Sequence, residues 1–291
     1  MHVLVLGATG MLGHVLARRL LAEGHRVAGT VRGDIAGSPV LRCLIEAGLL
    51  ALPLDLAAPA ALARAFDAAA PEVVVNCAGV IKQKAEAADM AALVRMNALL
   101  PHEVAAEAGR GGARLIQLST DCVFSGARGL YAEDAAPDPV DAYGRSKLLG
   151  EVGPPHLTLR CSMVGWQLRG AESLVEWFWA QRGGSARGYR RAFFSGFTTP
   201  ALARILAAVL AGHPRLAGLY HLAAPRISKF DLLEGLNARL GRPVDLVPDD
   251  RPAIDRSLDG RRFAAAAAMA LPDWPAMLDE LAEQKAEYHG D

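Results

Sequence analysis

Seven residues near the amino terminus, Gly7-Ala8-Thr9-Gly10-Met11-Leu12-Gly13, separate a short apolar run from an amphipathic one. His2–Leu6 reads as a buried strand, and Met11, Leu12, Val15, Leu16 and Leu20 recur at helical spacing until Gly24. A glycine turn between strand and helix predicts an anion site, because the helix start presents unpaired amides and the positive end of the helix dipole. Gly7 permits the tight turn, Gly10 lets a pyrophosphate approach the backbone, and Gly13 lets the helix close on the strand. Thr9, Met11 and Leu12 complete that site. The GxxGxxG spacing is one residue longer than the common dinucleotide GxGxxG, and a glycine-rich turn without a ligand is the competing reading.

The alternation continues. Strands are expected at Arg26–Val31, Leu49–Leu52, Glu72–Cys77, Arg114–Leu118 and Leu157–Cys161, with helices at Ala58–Ala69, Asp89–Ala108 and Ala142–Glu151. Apolar strands separated by amphipathic helices predict an α/β fold, a doubly wound parallel Rossmann sheet covered on both faces. After about residue 161 the rhythm loosens, and helices follow at Pro200–Leu210 and Lys229–Leu240. The expected organisation is a nucleotide-binding domain over 1–165, with segments near 198–222 returning to it, and a smaller C-terminal substrate lobe over 166–291. Ser228 with Asp231 reads as a helix cap, and Ala264–Ala268 as an ordinary surface helix.

Charge narrows the partners. The 31 basic and 31 acidic side chains cancel, so no general field attracts nucleic acid. Four scattered cysteines form no CxxC pair, and eight histidines form no HxH or HExxH pair, so neither a disulfide framework nor a metal site is expected. The amino-terminal run lacks a basic leader and no stretch reaches membrane-spanning length, so a cytoplasmic protein without a membrane partner is expected.

At the end of the second strand, Arg32 could pair with a ribose 2′-phosphate, which favours NADP; nearby Asp34 keeps NAD open, and a solvated Arg32 is the bland alternative. Asp55-Leu56 and Asn76-Cys77-Ala78-Gly79 follow strands at the edge where open α/β sheets bind ligands, and are expected to wall the adenine and ribose.

Tyr143 and Lys147 stand four residues apart on an expected helix, so they share a face. A neighbouring ammonium favours the phenolate, making the pair an acid/base device. Ser119-Thr120 closes the strand beside them and supplies hydroxyls.

These residues resemble the extended short-chain dehydrogenase/reductase superfamily, and within it the dTDP-4-dehydrorhamnose reductase family. The resemblance is carried by GATGMLG, NCAG (Asn76–Gly79), KAE (Lys84–Glu86), MNALLP (Met96–Pro101, including Asn97), STDCVFSG (Ser119–Gly126), YAEDAAPDP and YGRSKLLGE (Tyr143–Glu151). It implies an NAD(P)-dependent oxidoreductase acting on a 4-keto-6-deoxy nucleotide sugar. By position, Thr120 or Ser119 would bond the substrate oxygen, Tyr143 would be the acid, and Lys147 would bind the nicotinamide ribose. Asp121, Cys122 and Val123 would lie toward the substrate, with Cys122 where the family usually has tyrosine. Trp166 and Thr199 are expected to border the sugar, and Arg190 and Arg191 to grip its diphosphate unless they form a solvated basic loop. Trp177 and Trp179 read as packing residues. A nucleotide-sugar epimerase or dehydratase that retains its cofactor, a catalytically idle module that binds NAD(P) or a sugar nucleotide, and a homodimer all stay open.

Overall fold

Val3 and Val5 of β1 (His2–Leu6) turn to one face of the central sheet and Leu4 and Leu6 to the other, all of them buried. The two-residue period of the strand thus feeds two separate cores, so the run is continuously apolar. The structure, a computed structural model, describes residues 1–32, 38–58, 60–81, 89–241 and 243–290. Asp34 and Lys84–Glu86 lie outside the described residues.

β1 is followed by β2 (Arg26–Val31), β3 (Leu50–Pro53), β4 (Val73–Asn76), β5 (Arg114–Thr120) and β6 (Leu157–Cys161). Their spatial order is β3-β2-β1-β4-β5-β6, and a seventh strand, Gly218–His221, adds to the β6 edge. Every pairing in this sheet is parallel. The expected doubly wound fold is therefore present, and the order reverses between β1 and β4, which opens a crevice at their carboxyl ends.

Helix α1 (Gly13–Ala22) buries Val15, Leu16 and Leu20 on one face of the sheet and packs against the Thr199–Gly212 helix. On the opposite face Leu100, Val104 and Ala108 meet Leu4, Val74 and Leu115. Truncating one such fully buried leucine to alanine would cost about 2–5 kcal/mol. Outside the sheet the chain forms short strand pairs, Ser185–Tyr189 with Asp245–Asp249, and Ala192–Phe194 with Ile227–Ser228 and Ile254–Asp255.

Two elements differ from expectation. The Asp89–Ala108 stretch is an α-turn at Met90–Leu93, a π-helical turn at Val94–Leu99 and an α-helix at Leu100–Gly111. Pro101 explains the break, because it has no N–H for the Asn97 carbonyl and its ring would collide with that oxygen. A helix at Pro39–Glu46 was not expected; Ser38 caps it by accepting from the Leu41 amide at 3.3 Å, with Pro39 at its first position.

Candidate active site

The turn after β1 meets the end of β2: the Gly7 amide donates to Thr30 Oγ1 at 2.8 Å and the Ala8 amide to the Thr30 carbonyl at 2.9 Å. Gly7 has φ +80°, and a Cβ on Gly13 would overlap the Gly7 carbonyl oxygen, so both positions require glycine. The helix start is held against the strand, and Thr9, Gly10, Met11 and Leu12 face a cleft of about 780 Å³ with Arg32 beside them. Cys77, Ala78, Gly79 and Asn97 line the same cleft.

Asn76 and Asn97 shape that wall. Asn76 Oδ1 accepts from the Ala78 amide at 3.1 Å while its Nδ2 donates to Gln117. Asn97 Oδ1 accepts from the Val80 amide at 2.9 Å, and its Nδ2 donates to the Val80 carbonyl and to Ser146 Oγ. The π-turn thereby joins the turn after β4 to the Ala142–Leu149 helix, which Asp141 caps by accepting from the Gly144 amide at 2.8 Å.

That helix places Tyr143 and Lys147 in the cleft opposite Ser119 and Thr120 at the end of β5. The hydroxyls of Ser119 and Thr120 are not equivalent. Ser119 Oγ donates to Glu151 Oε1 at 2.6 Å, and Glu151 in turn takes a two-pronged contact from buried Arg160, at 2.8 Å on each oxygen. Thr120 Oγ1 instead accepts from the Cys122 amide at 3.1 Å, donates to Asp121 Oδ1 at 3.3 Å and neighbours Tyr143. Lys147 Nζ donates to the Leu118 carbonyl at 2.7 Å.

Burial dominates the titration of this pair. It pushes Tyr143 above the usual phenol range, which the Thr120 bond only partly offsets, and brings Lys147 down to about 8 against the opposing pull of Cys161, Glu151 and Cys77. Tyr143 therefore holds its proton at neutral pH. The sequence expectation that the ammonium sets the phenol is replaced by burial as the larger influence. Cys77, Cys122 and Cys161 are each pushed up to about 12, again by burial, so they stay thiols.

The chain beyond residue 165 contributes three cations that sequence reasoning missed, Arg169, Lys229 and Arg256. Lys229 opens the Lys229–Asn237 helix behind the Ser228 cap and lies 3.6 Å from the centroid of the Phe194 ring. A cation in the first turn of a helix opposes the dipole, so the cap was a signal that this side chain is held there for another reason. Arg256 donates from Nε to the Phe124 carbonyl at 3.0 Å. Burial pushes Asp121 above the usual carboxylate range, which Lys229 and Arg256 offset only in part, and burial lowers Lys229 to about 8. Cys122 lines the cleft beside them.

Several expected residues stand elsewhere. Arg190 is exposed and makes a two-pronged contact with Asp250, at 2.9 and 2.8 Å, and Arg191 is exposed beside it. Neither lines the cleft, although Tyr189 and Ala192 on either side of them do, because their side chains turn outward at the Ser185–Tyr189 strand end, where Arg190 meets Asp250. Trp166 is 1% exposed and buries its ring against Trp179 and Tyr288, donating from Nε1 to the Leu281 carbonyl. Thr199 is buried against Gly165 and Val123 lies in the core. Asp55 is exposed, closing a turn onto the Ala57 amide, and Leu56 is buried under β3; neither belongs to the cleft lining. Among the described residues no group of side chains could hold a metal ion, and no helix is long and apolar enough to cross a membrane.

A family model described as RmlD substrate binding domain matches residues 1–285. A dTDP-4-dehydrorhamnose reductase of Shigella flexneri is 29% identical over 318 aligned positions, covering 97% of this chain and 98% of that protein. Another, of Burkholderia thailandensis, is 37% identical over 170 residues, covering 56% of this chain and 50% of that protein. In matches of the latter kind the chain spans about half the length of its relatives. A crystal structure of dTDP-4-dehydrorhamnose reductase from Bacillus anthracis in complex with NADP shares the fold, with a TM-score of 0.79 at 20% identity over 97% of this chain and 98% of that one. With a match that runs from the first strand through the Trp274–Glu283 helix, the chain belongs to the RmlD substrate-binding-domain family.

Proposed function

We propose that the chain is an NAD(P)H-dependent reductase of a 4-keto-6-deoxy nucleotide sugar. One observation carries this: Thr120, Tyr143 and Lys147 meet in the same cleft as the glycine turn. The residues fit a dinucleotide, since the positive φ of Gly7 and the missing Cβ of Gly13 keep the turn tight and the helix start faces the cleft with Arg32 at its flank. Arg32 favours NADP by offering a guanidinium to a 2′-phosphate. When bound, the nicotinamide supplies hydride to the ketone carbon.

This chain's own residues do the rest. Tyr143, kept protonated by burial, delivers a proton to the ketone oxygen as negative charge develops there. Thr120 donates a hydrogen bond to the same oxygen. Lys147, held by the Leu118 carbonyl, keeps a positive charge next to the phenol, so the phenolate left behind is tolerated. Asp121 and Cys122 border the sugar, and Lys229 and Arg256 face its diphosphate, the role that sequence reasoning gave to Arg190 and Arg191.

The substrate lobe over 166–291 belongs to this reading. Free cysteines at positions 43, 77, 122 and 161 support a reducing, cytoplasmic setting. Exposed Met90, Val94, Leu99 and Leu149 on the neighbouring helices support a homodimer.

The test is NADPH oxidation with a panel of 4-keto nucleotide sugars. Stoichiometric loss of NADPH absorbance is expected, and Tyr143→Phe should lower kcat by 10²–10⁴-fold while NADPH affinity stays within a few-fold. Sugar turnover without net NADPH loss would mean an epimerase or dehydratase. Binding of NADPH without turnover of any sugar would mean an idle module.

A further inference from the structure

His14 lies on the first turn of α1 and is 1% exposed. Its Nδ1 is 2.7 Å from the Gly10 carbonyl oxygen and its Nε2 is 2.5 Å from the Tyr288 hydroxyl. A carbonyl only accepts, so Nδ1 carries the proton; burial takes His14 down to about 4, so the ring is neutral and Nε2 accepts from Tyr288. The Tyr288 ring meets His14 edge-on and stacks on Trp166 at 6.0 Å. Tyr288 lies beyond residue 285, where the family match ends.

The Gly10 carbonyl shares a peptide plane with the Met11 amide. In a trans peptide the two point in opposite directions, so whatever fixes the carbonyl also aims the amide. His14 draws the Gly10 oxygen into the helix, where its own amide also reaches it at 3.3 Å, and Met11 lines the cleft. We infer that His14 and Tyr288 are positioning residues for a dinucleotide phosphate: the carboxyl-terminal helix Lys285–His289 holds the glycine turn in its anion-binding form through the Tyr288–His14–Gly10 relay. The inference rests on the dinucleotide part of the proposed function and deepens it. It also accounts for Trp166, which anchors this helix instead of bordering the sugar.

The experiment is calorimetric titration of the full chain with NADPH, beside steady-state kinetics and thermal melts. Tyr288→Phe removes one hydroxyl and keeps the ring on Trp166. It should weaken NADPH about five-fold, the size of one neutral hydrogen bond, with kcat at saturating NADPH and the KM for sugar unchanged. His14→Asn retains a donor for Gly10 and should bind NADPH more tightly than His14→Leu by a similar factor. Equal affinity of Tyr288→Phe and wild type, or of the Asn and Leu variants, would overturn the relay. A wild type that binds neither NADPH nor NADH would overturn the proposed function as well.

Discussion

The side-chain amide of Asn97 donates a 3.1 Å hydrogen bond to the hydroxyl of Ser146, the neighbour of Lys147. The same Asn97 takes and gives a hydrogen bond at Val80. One buried side chain thus sets the distance between the wall of the cleft and the helix that carries the acid/base pair. Asn97→Ala would leave the Val80 amide and carbonyl unpaired and should destabilise the fold by about 2–4 kcal/mol in denaturant melts, with kcat down about ten-fold. A variant as stable as wild type would show that the π-turn is held by other contacts.

Ser119 and Thr120 separate by how firmly their hydroxyls are held. Ser119 donates to Glu151 at 2.6 Å, and Glu151 keeps its contact with Arg160 when that hydroxyl is removed, whereas Thr120 reaches Asp121 only at 3.3 Å and can turn to a substrate oxygen. Ser119→Ala should therefore leave kcat within about three-fold, whereas Thr120→Val should lower it about 10²-fold, the loss typical of an oxyanion donor. Steady-state rates of the two variants decide this, and equal losses would return Ser119 to the reacting oxygen.

The legible and illegible parts of this molecule divide along chain distance. The glycine turn, the Tyr143–Lys147 pair and β1 to β6 are local patterns whose period or spacing names the element, and they stand where the sequence placed them. Lys229 and Arg256 reach the cleft from far along the chain, and the Ser228 cap marks a helix start without saying what that start meets. Arg190 failed by the same reasoning: density of charge in sequence says nothing about which face of the lobe a turn occupies. Asp250, its partner, is 60 residues away. Trp166 failed because its partner, Tyr288, comes from the far end of the chain.

The pH dependence follows from the two directions at Tyr143 and Lys147. Lys147 is brought down to about 8, while Tyr143 is raised above the phenol range. As pH rises, Lys147 loses its proton first, and the positive charge that supports phenolate formation goes with it. The profile of kcat at saturating sugar and NADPH, where the binding contribution of Lys229, also near 8, drops out, should fall through an alkaline limb near 8 with a one-proton slope. Lys147→Met should lower the plateau and remove that limb, because the titration left in the turnover step is that of Tyr143. A limb near 8 that survives in the Met variant would assign it to another group.

The last prediction concerns which cations meet the substrate. Lys229 has the Phe194 ring against its ammonium, and Arg256 uses its Nε on Phe124, so the described contacts leave the lysine charge and the outer guanidinium nitrogens facing the cleft. Arg190, in contrast, is matched by Asp250 at the surface and is screened by solvent. Lys229→Met keeps most of the bulk and removes the charge; loss of one charge-assisted contact to phosphate should raise the KM for the sugar nucleotide by about 10–100-fold, with NADPH affinity within two-fold. Arg256→Ala should act in the same direction, with an added loss of stability from its Phe124 contact. The Arg190→Ala/Arg191→Ala double variant should leave kcat/KM unchanged. A double variant that loses sugar affinity while Lys229→Met retains it would reverse the assignment and bring the basic turn back to the diphosphate.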